Sequence, residues 1–259
     1  MDYKVLVIMF YTLFWRECRR ILRIWPQTLL PSVITATLYF MIFGEVLGSR
    51  IGSLENLAYI IYISPGIIIM SVINNSFANV VSSFYGIKFN HSVEEIMISP
   101  TPSHVIILAY VAGGVFRGVL TGVLVFFVAL FFAGIQPEQI NFFMIVLALF
   151  MCSALFSLGG FLNALNAQSF DDTSLFSSFI LTPLVYLGGI FYSIDSLSPF
   201  WKKIALINPL FYIVDFTRTA LTANSYCPSL ISSIGILSMT ILIYVTCWYL
   251  LKRGYRIKY

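Results

Sequence analysis

The sequence predicts an all-α polytopic membrane protein with six transmembrane helices. Three observations predict it. Of 259 residues, 59% are hydrophobic and only 10% are charged, against about 25% charged in soluble domains; the mean hydropathy is +0.91. The apolar residues come in long continuous runs, which excludes an outer-membrane barrel of alternating ten-residue strands. Lysine and arginine gather beside particular runs, the asymmetry that sets the orientation of a multi-pass protein.

Each run is near the ~20 residues that cross ~30 Å of hydrocarbon. The predicted spans are 29–47, 58–82, 105–133, 142–165, 175–192 and 230–251. With the N-terminus inside, Lys4, Arg16, Arg19, Arg20, Arg23, Lys88, Lys252, Arg253, Arg256 and Lys258 are cytoplasmic. Arg50, Lys202, Lys203 and Arg218 are then external, and both termini are cytoplasmic. Segment 204–221 is not a seventh span. It carries Asn208-Pro209, Asp215 and Arg218, all costly in lipid. A seventh crossing would also move "KRGYRIKY" outside. The segment reads instead as an external or re-entrant helical excursion sheltered by protein.

Ahead of the first span, Tyr11, Trp15, Cys18, Leu22 and Trp25 form an apolar stripe at helical spacing. Thr12, Arg16, Arg19, Arg20 and Arg23 occupy another face. This pattern predicts an amphipathic helix lying on the anionic cytoplasmic leaflet; a basic topology anchor is a plainer, compatible reading. The stretch lacks a small-residue cleavage site, and its basic cluster follows its apolar run, so it does not read as a cleavable signal peptide.

The connection after the second span, "SVEEIMISPTPSH" (92–104), carries both a helix start and a helix stop. Ser92 and Glu95 have capping-box spacing, which predicts a short helix from Val93. Val93, Ile96 and Met97 share its apolar face, with Glu94 beside them. Ser99-Pro100 ends it. Thr101 and Pro102 suit the cap and first position of the third span. A short cytoplasmic helix with a partly apolar face lies on the membrane or fills a groove in a partner.

Catalytic chemistry has little to work with. The chain contains no nucleotide-binding G-x-x-x-x-G-K-[ST], no H-E-x-x-H and no nucleophile elbow. His91 and His104 form no cluster. Asp171-Asp172 is a metal-site candidate on paper, but such a pair more often caps the following helix. Cys18, Cys152, Cys227 and Cys247 lack metal-ligand spacing, and their distribution across the membrane predicts no disulfide. The sequence predicts no enzyme.

Polar residues inside the spans carry the remaining signal. Arg117 sits twelve residues past Val105, or ~18 Å along a helix axis. Such an arginine costs roughly 3 kcal/mol unless paired, and asparagines, carbonyls or water are its expected partners. It either ties the bundle together or flanks a substrate route. Gly114, Gly118 and Gly122 recur every four residues and permit close helix approach, within one chain or at a dimer seam. Ser71, Asn75, Asn79 and Ser82 form a stripe on the second span, and Ser174, Ser178, Thr182 and Tyr186 form one on the fifth. Such stripes hydrogen-bond between helices or line a transport path. No acid lies mid-span, which argues against proton-coupled secondary transport. An ATP-independent transporter and a membrane assembly protein stay as alternatives.

Three stretches resemble a known family: "SVEEIMISPTPSHVIILAYVAGGVFRG" (92–118), "SFDDTSLFSSFILTPLVYLGGIFYSIDSLSPFW" (169–201) and "NPLFYIVDFTRTALTA" (208–223). With the N-terminal amphipathic helix they are similar to ABC-2-type permeases, the membrane subunits of ATP-binding-cassette exporters. The likeness is greatest to small bacterial inner-membrane permeases of the YadH-like group. The resemblance implies one transmembrane domain over 1–259, with an interface helix in 1–28, a coupling-helix loop at 84–104 and an external or re-entrant segment at 193–229. It implies a homodimer in the bacterial inner membrane, in contact with lipid, bound to two copies of a separate ATPase. That ATPase holds ATP and magnesium; the chain has no cofactor of its own, and nucleic acid is not an expected partner. The coupling helix carries over to Ser92, Val93, Glu94, Glu95, Ile96 and Met97, and the interface helix to Trp15, Arg16, Arg19, Arg20 and Arg23. The substrate route of the family uses spans two and five, where Ser71, Asn75, Asn79, Thr182 and Tyr186 are candidates, with Arg117 beside them. The family moves lipids, glycolipids, polysaccharides, drugs and peptides, so the substrate stays open.

Overall fold

The computed structural model describes residues 3–55, 57–90, 92, 98–222 and 226–255, with Glu45 and Gln139 described by backbone alone. The protein is all-helical apart from a two-residue hairpin, Ser53–Leu54 against Leu57–Ala58. In chain order the helices are α1 (Tyr3–Arg23), α2 (Trp25–Ile51), α3 (Tyr59–Phe89), α4 (Ser103–Ala133) and α5 (Phe142–Asn166). They continue with α6 (170–186), α7 (Pro199–Ile207), α8 (Pro209–Thr222) and α9 (Ser229–Lys252). Among the described residues, α2, α3, α4, α5 and α9 are long and apolar enough to cross a membrane. The bent α7–α8 pair adds a sixth if it is counted as one span.

The core is α3, packed between α4 and α5, and 72% of its apolar window is buried against 17% for α9. The glycine stripe makes this possible. A Cβ on Gly114 would lie 2.3 Å from Ser157 Oγ and 2.6 Å from Val80. One on Gly118 would meet Ser153 Oγ at 2.5 Å, and one on Gly122 would meet Leu149 and Val72 at 2.7 Å. The stripe therefore packs α4 onto α3 and α5 of the same chain, which settles the alternative of a dimer seam. Nearer the 90–102 connection, Phe84 of α3 packs against Phe161 of α5 with ring centroids 4.3 Å apart and planes tilted by 41°, and meets Tyr110 of α4 edge-on at 5.3 Å.

Several boundaries differ from the sequence expectation: the first apolar helix runs Trp25–Ile51 against 29–47, and the second continues to Phe89 past 82. The third span starts at Ser103, because Pro102 keeps an extended backbone (φ −66°, ψ 144°) and itself occupies the cap position. Thr101 is no cap: its hydroxyl pairs with Ser99 Oγ at 2.7 Å. The fifth span begins earlier and ends at Tyr186 instead of residue 192. Gly189 adopts φ +67°, which turns the chain back, and Ile190 then tucks against Gly66 of α3. At its start Ser169 and Asp172 form a capping box, Asp172 Oδ2 accepting from the Gln168 and Ser169 amides at 2.9 and 3.1 Å. The aspartate pair thus serves the helix end, and among the described residues no group of metal-ligating side chains gathers.

The α7–α8 pair bends by 82° at Asn208. Asn208 Nδ2 donates to the Leu184 carbonyl at 2.6 Å while its Oδ1 accepts from Leu210 N. The costly groups of α8 are buried, and all but Arg218 Nε find hydrogen-bond partners. Asp215 accepts from the Tyr226 and Cys227 amides, each at 2.9 Å. Arg218 donates to the Gly189 carbonyl at 3.1 Å and stacks over the Tyr62 ring at 4.0 Å. Protein shelters every one of these groups.

Candidate transport and coupling surfaces

Arg117 projects from α4 toward α2 and α3. Its Nε and Nη2 donate to Asn75 Oδ1 at 3.2 and 3.0 Å, and Nη2 reaches the Thr28 carbonyl at 3.4 Å. Asn75 in turn donates to Ser32 Oγ at 2.7 Å. An amide and a carbonyl, with no carboxylate, are what satisfies this guanidinium. On the other side of Asn75 opens a small cleft of about 150 Å³ of mixed lining, with Ser32, Thr35, Ser71, Asn74 and Asn75 beside Pro31, Tyr39, Ile67 and Met70. Ser71 and Asn75 thus meet at one site, with Arg117 behind them.

Asn79 lies elsewhere. It is fully buried, and Arg20 Nη2 donates to its Oδ1 at 2.8 Å and its carbonyl at 3.2 Å. The same guanidinium pairs with Glu17 Oε2 at 3.1 Å. Glu17 is only 2% exposed and also accepts from Ser83 Oγ at 2.6 Å. Arg16 donates to the Tyr110 hydroxyl and lies 3.8 Å from Glu17 Oε1. A Cβ on Gly113 would fall 2.7 Å from that of Glu17, so only glycine lets α4 approach α1 here.

Glu17 has no place in the sequence reading. A signal was available. Phe10, Phe14, Glu17 and Ile21 recur at i, i+4, i+7 and i+11, a second stripe that faces the bundle. Cys18 faces the same way and is 3% exposed, so it leaves the outward stripe, which keeps Tyr11, Trp15 and Leu22. Trp25 belongs to the next helix. Arg16, Arg19 and Arg23 are exposed, and Arg19 lies over the Trp15 ring at 5.5 Å.

The fifth-span stripe is exposed along its length: Ser174, Ser178, Thr182 and Tyr186 face away from the chain. On α3, Asn74, Ala78 and Ser82 form a comparable open face. The hydroxyls of Ser71, Ser82 and Thr182 are held by backbone carbonyls of their own helices. Among the described residues no hydrogen bond joins the two stripes. Of the expected coupling segment, Ser92 is helical; Val93, Glu94, Glu95, Ile96 and Met97 lie outside the described residues. A cleft of about 800 Å³ between α1, α4, α5 and α9, lined by Phe14, Val115, Phe116, Phe150 and Tyr244 among others, is almost wholly apolar and suits lipid better than a polar solute.

Comparison with known proteins places this geometry. Residues 9–222 match the ABC-2 type transporter family. The inner membrane transport permease YadH of Escherichia coli (strain K12) is 47% identical over 240 residues, covering 92% of this chain and 93% of that protein. Nodulation protein J of Neorhizobium galegae is 23% identical over 219 residues, 84% of this chain and 82% of that one. Nodulation protein J of Rhizobium meliloti (strain 1021) is 23% identical over 199 residues, 75% of each. The chain belongs to the ABC-2 type transporter family and is a multi-pass inner-membrane transport permease, a transport subunit rather than an enzyme.

Proposed function

We propose that this permease works as an exporter driven by ATP hydrolysed on a separate polypeptide. The observation that carries the reading is the match of residues 9–222 to the ABC-2 type transporter family, beside 47% identity to an inner membrane transport permease. In this reading two copies of the chain pair through the open polar faces of α3 and α6. Such faces avoid lipid, because unpaired hydroxyls and amides are costly there. Both termini are cytoplasmic, α6 is the fifth span and the α7–α8 pair re-enters from outside. The substrate passes between the copies, along Ser71, Thr182 and Tyr186, with Asn75, Asn79 and Arg117 supporting α3 from behind. Two ATPase copies bind the 92–97 segment, and their closure re-packs the spans as rigid bodies.

Mild-detergent purification from the native membrane tests this. A stoichiometric partner carrying a phosphate-binding loop, released by Glu94→Lys with Glu95→Lys while the permease stays inserted, is the expected result. Recovery of the chain alone in several gentle detergents and in nanodiscs refutes it.

A further inference from the structure

The Glu17 cluster lies where a mechanical link is needed. Ser83 is six residues before the end of α3, ~9 Å along its axis. Tyr110 and Gly113 stand seven and ten residues into α4. These are the two helices that flank the 90–102 connection, and α1 grips both: α3 through Ser83 and Asn79, α4 through Tyr110 and the close contact at Gly113. We propose that Glu17 is a positioning residue that pins α1 to the ends of α3 and α4, so that all three move as one body when the connection is displaced. The consequence for transport rests on the ATP-driven reading above; the pin itself does not.

The chemistry favours a stiff link over a sliding one. A carboxylate at 2% exposure is tolerable only while its partners stay in place. Peeling α1 away would strand Glu17 or draw water into the helix junction, and would also strip Arg20 from both acceptors on Asn79. Surface ion pairs lack this property, because solvent replaces a lost partner at little cost. The outward face of α1, with Tyr11, Trp15 and Leu22, then carries any displacement of α3 and α4 into the membrane interface.

The test uses the permease–ATPase complex in nanodiscs, with Tyr11→Cys and His104→Cys as spin-label sites on exposed faces of α1 and α4, Cys227 replaced, and labelled chains diluted with unlabelled ones so that only distances within one chain are read. The expected result is one narrow interlabel distance that does not change when ATP is bound. Glu17→Ala should broaden it and lower permease-stimulated ATP turnover by about tenfold, with the ATPase still bound in wild-type proportion. Glu17→Gln with Arg20→Gln, an uncharged pair, should recover the narrow distance and much of the stimulation. An interlabel distance that shifts with ATP overturns the proposal, and so does Glu17→Ala with unaltered distance and stimulation. If Glu17→Ala does not accumulate, the wild-type distance with and without ATP decides. If no ATPase accompanies the wild type, the ATP-driven reading falls, while the narrow resting distance and its recovery by the uncharged pair still test the pin.

Discussion

Gly118→Ala isolates the packing that joins the three central helices. The new Cβ would lie 2.5 Å from Ser153 Oγ, 3.0 Å from Ser76 Cβ and 3.1 Å from Ser153 Cβ. The hydroxyl can rotate away. The two Cβ atoms are fixed to backbone, so α4 must move outward by a few tenths of an ångström. Overpacking of this kind costs ~1–3 kcal/mol, and alanine's better helix propensity returns ~0.8–1 kcal/mol. With two fixed Cβ contacts the upper part of that range applies, ~2–3 kcal/mol, so the net loss is about 1–2 kcal/mol, or roughly 2–8 °C in Tm at 2–4 °C per kcal/mol for a chain of this size. Gly86→Ala is the internal control, because nothing lies within 4 Å of its Cβ. It gains the propensity alone, so its Tm should rise. Thermal unfolding followed by size-exclusion chromatography in one detergent compares them, with Ser153→Ala added to Gly118→Ala to restore part of the loss. A Gly118→Ala protein that melts at or above the wild type would refute in-chain packing of the stripe.

Other outcomes follow from the same geometry. A double-mutant cycle of Arg117→Met and Asn75→Leu should give a coupling of about 1 kcal/mol, the scale of interhelical hydrogen bonds in membranes; additive effects would mean that the contact carries no stability. Cys227 is half-buried while Cys18, Cys152 and Cys247 are buried, so maleimide should modify Cys227 first in the folded protein. Burial, then the Glu17 carboxylate, pushes the Cys18 thiol above the usual cysteine range. The raised value leaves less thiolate near neutrality, so Cys18 should react only as pH climbs; peptide mass spectrometry that finds it modified as fast as Cys227 would contradict this.

Fold class and most span positions were legible because lipid imposes a strong constraint on composition and run length. Helix ends were less so. Pro102 took the cap position expected of Thr101 because a proline can start a helix either as its first residue or, with extended ψ, as the residue before it. The fifth span was read six residues past its end because "LGGIFY" is as apolar as a membrane helix. What ends it is the positive φ at Gly189 and the socket that Gly66 opens for Ile190. Neither is a property of hydropathy. The partner types of Arg117 were legible from what the spans contain. Which stripe faced inward was not, since a polar stripe at helical spacing has the same sequence whether it meets a neighbour or stays open.

That ambiguity resolves differently along one helix. On α3 the polar residues divide between two faces: Asn75, Asn79 and Ser83 turn inward, while Asn74 and Ser82 turn outward. The inward set is spent on two arginines and one glutamate from α4 and α1, charged groups that a membrane bundle holds only with such partners. The outward hydroxyl of Ser82 is tied only to its own helix. An outward face serving only to satisfy the chain's own helices would have been better built from leucine. A helix that ties its neighbours with one face and keeps the other polar is suited to meet water or a second polar surface. Replacing Asn74, Ala78 and Ser82 together with leucine should therefore leave the melting temperature within about 6 °C, since each surface change usually stays within ±0.5 kcal/mol. The same replacement should remove any self-association seen by cross-linking in native membranes. Loss of folding instead would mean that the open face belongs to the chain's own core.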